Sequence, residues 1–426
     1  MKTVPIISVT GTKGKTTTVA VIADVMRKLE KNVLKVDTTG HFLNGERRST
    51  LDDSKATWRL VPSVCPGRYL WEFHAHPELK ENGVAVLECS LGCSASSGLG
   101  YRYHKVGVFL NVFEDHLGSS DRIQSREDIA KAKEFIFSRL LHTNSFAVFN
   151  ADDHLVVDRL EALPVKQGIT LVPFGLTFEH FDVEAHVRDG GVALTTNDKK
   201  QIILRSASED TVVLDLTKIP WTFNGMFAPS VWNLLAAVGA VYGYNDGRLP
   251  EGIREIFESI RLDLYGGRLT LLENKRGVKI LADYAHEKIS LGMVGRLART
   301  QIEPGKKVIG IVRLAHDRSD TLMTETGKAI ASEYDQFIVY DKIDGYWRQA
   351  TRKGSRFTEV VGRTSEIFSE GIKSINPNVE RIIREDEAIE RAAQIAEPGD
   401  MVVIIVNDDI HRSIEFIKKS FEADFI

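Results

Sequence analysis

The sequence predicts an α/β protein of two domains. The first is a P-loop domain with a parallel sheet and a small antiparallel subregion; the second is a Rossmann-like α/β domain. Three observations predict this. A short β-branched run, Val4–Val9, feeds a glycine loop and then a helix-spaced segment, Thr17–Leu29. Continuous apolar runs alternate with helical patterns, as strands buried on both faces of a parallel sheet do. Near Gly266-Gly267 the pattern restarts.

Taken in order, Val33–Val36, Val84–Leu87 and Val106–Val112 read as buried strands. Arg126–Leu141 reads as one helix with Ile129, Phe135, Ile136 and Leu140 on a single face, and Phe146–Asn150 as the next strand. From Gly175 to Asp215 the pattern becomes alternating. Asp189-Gly190-Gly191 and Thr196-Asn197-Asp198 are the expected turns between antiparallel strands there. Trp232–Tyr244 is an alanine-rich helix, and Val278–Ala282, Val308–Val312, Gln336–Tyr340 and Met401–Val406 are expected strands of the second domain. The domains are expected at residues 1–262 and 263–426.

Composition narrows the function. The charge sum, 55 − 59 = −4, supplies no global basic field for nucleic acid or an anionic membrane. Three cysteines, Cys65, Cys89 and Cys93, are too few and odd in number for a disulfide framework and suit a reducing compartment. Cys89 and Cys93 lack the second pair or spaced histidine of a zinc site. No window reaches membrane-spanning length, and the N-terminal apolar run is too short for a signal peptide. The expected location is the cytoplasm.

Thr10-Gly11-Thr12-Lys13-Gly14-Lys15-Thr16-Thr17 lies between strand and helix. Backbone N–H groups of such a loop, with the helix N-terminus, cradle phosphates. Lys15 would reach the β/γ-phosphates and the Thr16 hydroxyl would hold Mg²⁺. Val9 replaces the first glycine of the strict eight-residue pattern, so the loop is a variant. Glu88 and Glu114-Asp115-His116 fall where parallel strands should end, beside the loop, where ligands of open α/β sheets gather. A carboxylate and an imidazole there suit a second divalent ion; His116 alone reads equally well as a hydrogen-bonded loop histidine.

Six elements in order carry a resemblance. Thr10–Thr17, Asn111-Val112-Phe113-Glu114-Asp115-His116-Leu117, Ala132-Lys133, Asn224-Gly225 with Asn233-Leu234-Leu235-Ala236-Ala237, Gly267-Arg268, and Asp283-Tyr284-Ala285-His286 resemble the signatures of the Mur ligase family. Within it, Thr38-Thr39-Gly40, Gly98-Leu99-Gly100-Tyr101, Asn150-Ala151-Asp152-Asp153 and His316-Asp317-Arg318-Ser319-Asp320 look like the Mur-like half of the cyanophycin synthetases. Their ATP-grasp half and the UDP-binding domain of the murein ligases find no counterpart in these residues.

The resemblance implies an ATP-dependent ligase that activates a carboxylate as an acyl phosphate and joins it to an amino acid or peptide amine. Its cofactors would be ATP and Mg²⁺, with two ions expected. Gly11, Thr12, Gly14, Lys15, Thr16 and Thr17 would bind phosphates; Thr16, Glu88 and His116 would hold metal; Lys133 would be the family's carbamylated lysine. Asn233 would meet adenine, Arg268 the phosphates and Asp283 the ribose, while His286 and Arg318 would face the substrate. Lys133 otherwise reads as a surface lysine, Asn233 as a helix-pinning residue, and Asp283 and His286 as structural loop residues. The expected partners are a small-molecule or peptide carboxylate and an amino acid, with a separate ATP-grasp protein and self-association left open. The alternative is a non-catalytic nucleotide-binding subunit that regulates or scaffolds another ligase. It draws on the altered Asp283–Lys288 and His316–Asp320 loops, where Glu287-Lys288, His316 and Ser319 depart from the family pattern; Cys89-Ser90-Leu91-Gly92-Cys93 departs from it as well.

Overall fold

The computed structural model describes residues 4–48, 61–114, 122–141, 143–163, 168–262, 266–315, 318–341, 361–407 and 409–426. The chain forms two compact units, Met1–Leu262 and Asp263–Ile426.

The first unit is built on a sheet of β1 (Ile6–Thr10), β2 (Asn32–Asp37), β3 (Gly40–Leu43), β4 (Glu46–Arg47), β5 (Gly83–Glu88), β6 (Val106–Phe109), β7 (Ser145–Asn150), β8 (Ile169–Phe174), β9 (Val192–Thr196), β10 (Gln201–Ser206) and β11 (Thr211–Asp215). Their order is β11-β10-β9-β8-β7-β6-β1-β5-β2-β3-β4. The centre, from β2 through β5, β1, β6 and β7 to β8, is parallel, and the two edges are antiparallel. Strands β1, β5 and β7 are buried end to end, because helices cover both faces. Alternate residues serve different cores. Phe146 and Val148 pack with Val19 of helix α1 (Lys15–Lys28) and Leu235 of a long helix, Ala228–Tyr244; Ala147 and Phe149 pack with Ile136 and Leu155.

Three expectations are corrected. The expected helix Arg126–Leu141 is broken into Arg126–Lys133 and Phe135–Ser138. The Ile136 carbonyl accepts from His104 Nε2 at 2.8 Å, and Leu140 N turns instead to Phe137 O. Pairing of the expected strand Val106–Val112 stops at Phe109, because the next residues bend to hold the phosphate loop. Asp189-Gly190-Gly191 ends a helix, Val183–Arg188, rather than joining two strands; Asp189 N and Gly190 N return to Ala185 O and Val187 O, and Gly190 takes φ 89°. The hairpin expected at Asn197 is present, with Asn197 Oδ1 accepting from Lys199 N and Gln201 N.

The second unit has β12 (Thr270–Asn274), β13 (Lys279–Asp283), β14 (Val308–Val312), β15 (Gln336–Val339), β16 (Val379–Arg381), β17 (Met401–Ile405) and β18 (Ala423–Phe425), ordered β16-β15-β14-β17-β13-β12-β18. Strands β13 to β17 run parallel. Because β17 returns between β14 and β13, the order in which strands are added reverses there, the place where a crevice forms at the carboxyl ends of strands in open α/β sheets.

Candidate active site

The site of the first unit starts from one strand end. After Thr10 the chain must turn back over the sheet edge, and Gly11 and Gly14 make the turn with φ 150° and 84°. A Cβ on Gly11 would lie 2.9 Å from Leu110 Cβ, and one on Gly14 would lie 2.1 Å from Asn233 Oδ1. Asn233, 8% exposed on its helix, therefore rests against the loop. Asn111 shapes the loop from the other side: its Oδ1 accepts from Thr12 N and Lys13 N, and its Nδ2 donates to Lys13 O. Thr12 Oγ1 in turn accepts from Phe113 N. Lys15 Nζ donates to Thr12 O at 2.9 Å.

The donor set fits a nucleotide phosphate and a hard cation. Helix α1 begins at Lys15 with no acidic residue in its first turn, so its positive end is left for an anion. Thr16 Oγ1 donates to Glu88 Oε2 at 2.9 Å, which sets a hydroxyl and a carboxylate oxygen together, the ligand types Mg²⁺ takes. Glu88 ends β5 and is 1% exposed. Two further donors reach it from the end of β2: Thr38 N to Oε2 at 3.3 Å and Thr38 Oγ1 to Oε1 at 2.8 Å. Lys133 is 2% exposed, with Nζ 3.5 Å from Thr10 Oγ1, so it is a buried amine beside the loop and not a surface lysine. Thr17 continues the same helix turn. His116, Asp115 and Asp317 with His316 lie outside the described residues.

The cysteines take no part in a metal cluster among the described residues. Cys93 Sγ donates to Ser63 O at 3.1 Å. Its hydrogen bond with Cys89, and then burial, raise the thiol far above its ordinary range.

In the second unit, Arg268, Asp283 and His286 gather around Tyr284. Asp283 Oδ2 accepts from Leu269 N and Oδ1 from Ala285 N, at 2.9 and 2.7 Å, so the carboxylate ties two loops together. Arg268 Cζ lies 6.0 Å from the Tyr284 ring centre. His286 Nδ1 bonds Tyr284 O at 2.9 Å; a carbonyl can only accept, and this assigns the proton of a neutral ring to Nδ1. Arg318 is 8% exposed at the start of the helix Asp320–Ile330. Two departures from the family pattern prove to be helix caps: Glu287 accepts from Ile289 N and Ser290 N, and Ser319 from Leu322 N. Sequence reasoning gave no site role to Thr38, Ser63, Asn111 or Arg313. Thr38 and Asn111 carried a signal, each standing at the head of a segment that resembles the family.

Comparison with known proteins adds the family. The Mur ligase middle domain matches residues 9–241, and the Mur ligase glutamate ligase domain matches residues 267–405. Cyanophycin synthetase of Nostoc sp. is 30% identical over 421 residues; the match covers 97% of this chain and 42% of that enzyme, so the chain spans less than half the length of this relative. The UDP-N-acetylmuramoyl-L-alanyl-D-glutamate–2,6-diaminopimelate ligase of Clostridioides difficile is 24% identical, over 94% of this chain and 72% of its own length. In fold, the chain is similar to the bifunctional folylpolyglutamate synthase/dihydrofolate synthase of Yersinia pestis, solved with AMPPNP and a Mn ion (TM-score 0.61, 16% identity, 98% of this chain and 89% of that one). With the middle domain alone matching more than half of its residues, this chain belongs to the Mur ligase family.

Proposed function

We propose that the chain is an ATP-dependent carboxylate–amine ligase that makes an amide between an acidic acceptor and an amino acid or peptide amine. The observation that carries this is the phosphate loop with Thr16 Oγ1 2.9 Å from the buried Glu88 carboxylate. Loop amides and Lys15 bind the ATP phosphates, Asn233 adenine and Asp283 the ribose. Thr16 and Glu88 hold Mg²⁺, which when bound neutralises phosphate charge. His116 and Lys133, carbamylated by addition of carbon dioxide to its amine, serve a second ion.

A carboxylate oxygen of the acceptor attacks the γ-phosphorus and ADP leaves, giving an acyl phosphate. Lys15 and Arg268 stabilise charge on the transferring group. The amine nitrogen then attacks the acyl carbon, loses a proton, and inorganic phosphate departs as the amide forms. His286 and Arg318 face these substrates. A cyanophycin-synthetase-like acceptor, an aspartyl or other amino-acid carboxylate, is the leading candidate, supported by 30% identity running through 97% of the chain.

The test is phosphate release from ATP with Mg²⁺, bicarbonate, pooled amino acids, and short aspartyl, glutamyl and cell-wall-type peptides. Each active pool is checked for a new amide by mass spectrometry. Release that requires both acceptor and amine is expected; nucleotide binding without turnover in any pool would overturn the reading. A separate ATP-grasp partner and self-association belong to the same reading, and pull-down and light scattering test them.

A further inference from the structure

Beneath Glu88 runs a chain of hydroxyl groups that the proposed reaction does not use. Thr38 Oγ1 donates its single proton to Glu88 Oε1 at 2.8 Å, and lies 3.3 Å from Ser63 Oγ. With the threonine proton committed to the carboxylate, the serine must donate to the threonine. The order is therefore Ser63 O–H to Thr38 O–H to Glu88, and hydrogen bonds in such a series polarise one another. Ser63 is 1% exposed and firmly anchored. Its own carbonyl accepts from Ser90 N at 3.0 Å, Ser90 Oγ at 3.0 Å and Cys93 Sγ at 3.1 Å. Ser90 and Cys93 belong to the segment after Glu88 that departs from the family pattern.

We infer that Ser63 is a positioning residue for the metal site: through Thr38 it fixes the orientation of the Glu88 carboxylate against Thr16, and it ties that orientation to the Ser90–Cys93 segment. The inference rests on the reading of Thr16 and Glu88 as metal ligands. Ser63 is not itself one of the proposed ligands and acts through Thr38.

The experiment is calorimetric titration of the full chain with ADP, in EDTA and over a series of Mg²⁺ concentrations. One net neutral hydrogen bond corresponds to roughly a 3- to 10-fold change in an equilibrium. Ser63→Ala should raise the Mg²⁺ concentration that half-maximally tightens ADP binding by about 3-fold, and Thr38→Val by about 10-fold. Affinity for ADP in EDTA should stay unchanged in both, which a general loss of structure would not permit. Thr38→Ser should restore the wild-type Mg²⁺ dependence within about 2-fold, and the double variant should be no worse than Thr38→Val, because the serine works through the threonine. Unchanged Mg²⁺ dependence in Ser63→Ala, or losses that multiply in the double variant, would overturn the relay. Should Ser63→Ala not fold, Thr38→Val and its serine rescue decide, since Thr38 is exposed. Wild-type ADP binding indifferent to Mg²⁺ would remove the metal reading itself, and the relay with it.

Discussion

The parallel strands of the two units end in similar places and are finished in opposite ways. In the first unit, β1, β2 and β5 end at Thr10, Asp37 and Glu88, and beyond them lie a glycine loop, hydroxyls and a helix N-terminus with no acidic first turn. In the second, the ends of β14, β15 and β17 run into Arg313, Tyr340 and Asn407, and these fill the crevice themselves. Arg313, 1% exposed, donates to Val406 O at 2.7 Å, and its Cζ lies 5.1 Å from the Tyr284 ring centre. Glu385 accepts from Asn407 N, Asn407 Nδ2 and Ser413 Oγ. An open strand edge becomes a ligand site when its donors are backbone amides and short hydroxyls around glycine. The same edge becomes a structural core when long side chains reach across it to backbone carbonyls and to Glu385.

The largest effect should fall on the first edge. Lys15→Ala is expected to reduce ATP-dependent product formation below a few per cent. Thermal stability should be nearly unchanged, because Lys15 is half-buried and its hydrogen bond to Thr12 stays within its own loop. Substantial residual turnover in a coupled phosphate assay would reject this edge as the phosphate site. On the second edge the expected loss is of stability. Arg313→Met removes the buried hydrogen bond to Val406 O and leaves that carbonyl without its donor, and should cost about 1–3 kcal/mol in urea unfolding. A loss under about 0.5 kcal/mol would mean that this hydrogen bond does not hold the strand ends together.

The units should also differ in pH response. Burial lowers His104 to about 4 from 6.5. The unfolded chain takes up that proton first, so the stability contribution is complete above pH 6.5 and is lost as pH falls toward 4. A gap of that size corresponds to about 3 kcal/mol relative to His104→Gln. Glu385 has the other sign. Burial raises its carboxyl above the usual carboxylate range, so the folded state holds the proton more tightly. Its contribution is present below the unfolded value and is lost as pH rises through the folded one. Unfolding free energies of wild type and Glu385→Gln should therefore converge or cross as pH rises, the reverse of the His104 pair; parallel curves would break the contrast. The smallest effect concerns the thiols. In native protein near neutral pH, iodoacetamide should modify Cys65, which is half-buried, and spare Cys89 and Cys93. Mass spectrometry showing rapid labelling of all three would contradict the packing beneath Glu88.

Much of this architecture was legible because its signals are local. The phosphate loop is contiguous, and a strand, two glycines, a lysine and threonines must succeed one another for a backbone to wrap a phosphate. Glu88 was found because a continuous apolar run ends at it. The end of the second helical piece at Ser138 was not legible, because the Ile136 carbonyl that would carry the helix on to Leu140 is taken by His104, 32 positions away. Glu287 and Ser319 could have been found as caps, since each precedes a helical pattern, but the family motif drew attention to the residues they replace.

The sequence by itself determined the order of strands and helices, the phosphate loop and its variant first position, and the family signatures, all of which depend on neighbours within a few residues. Tertiary structure alone decided that Lys133 is buried beside Thr10, that Asn111 clamps the loop, that Thr38 and Ser63 stand in line behind Glu88, and that Arg313 closes the second crevice. These depend on strands adjacent in space but 25 to 123 positions apart in the chain. A hydrogen bond acts over about 3 Å, and that distance is set only once the sheets have formed.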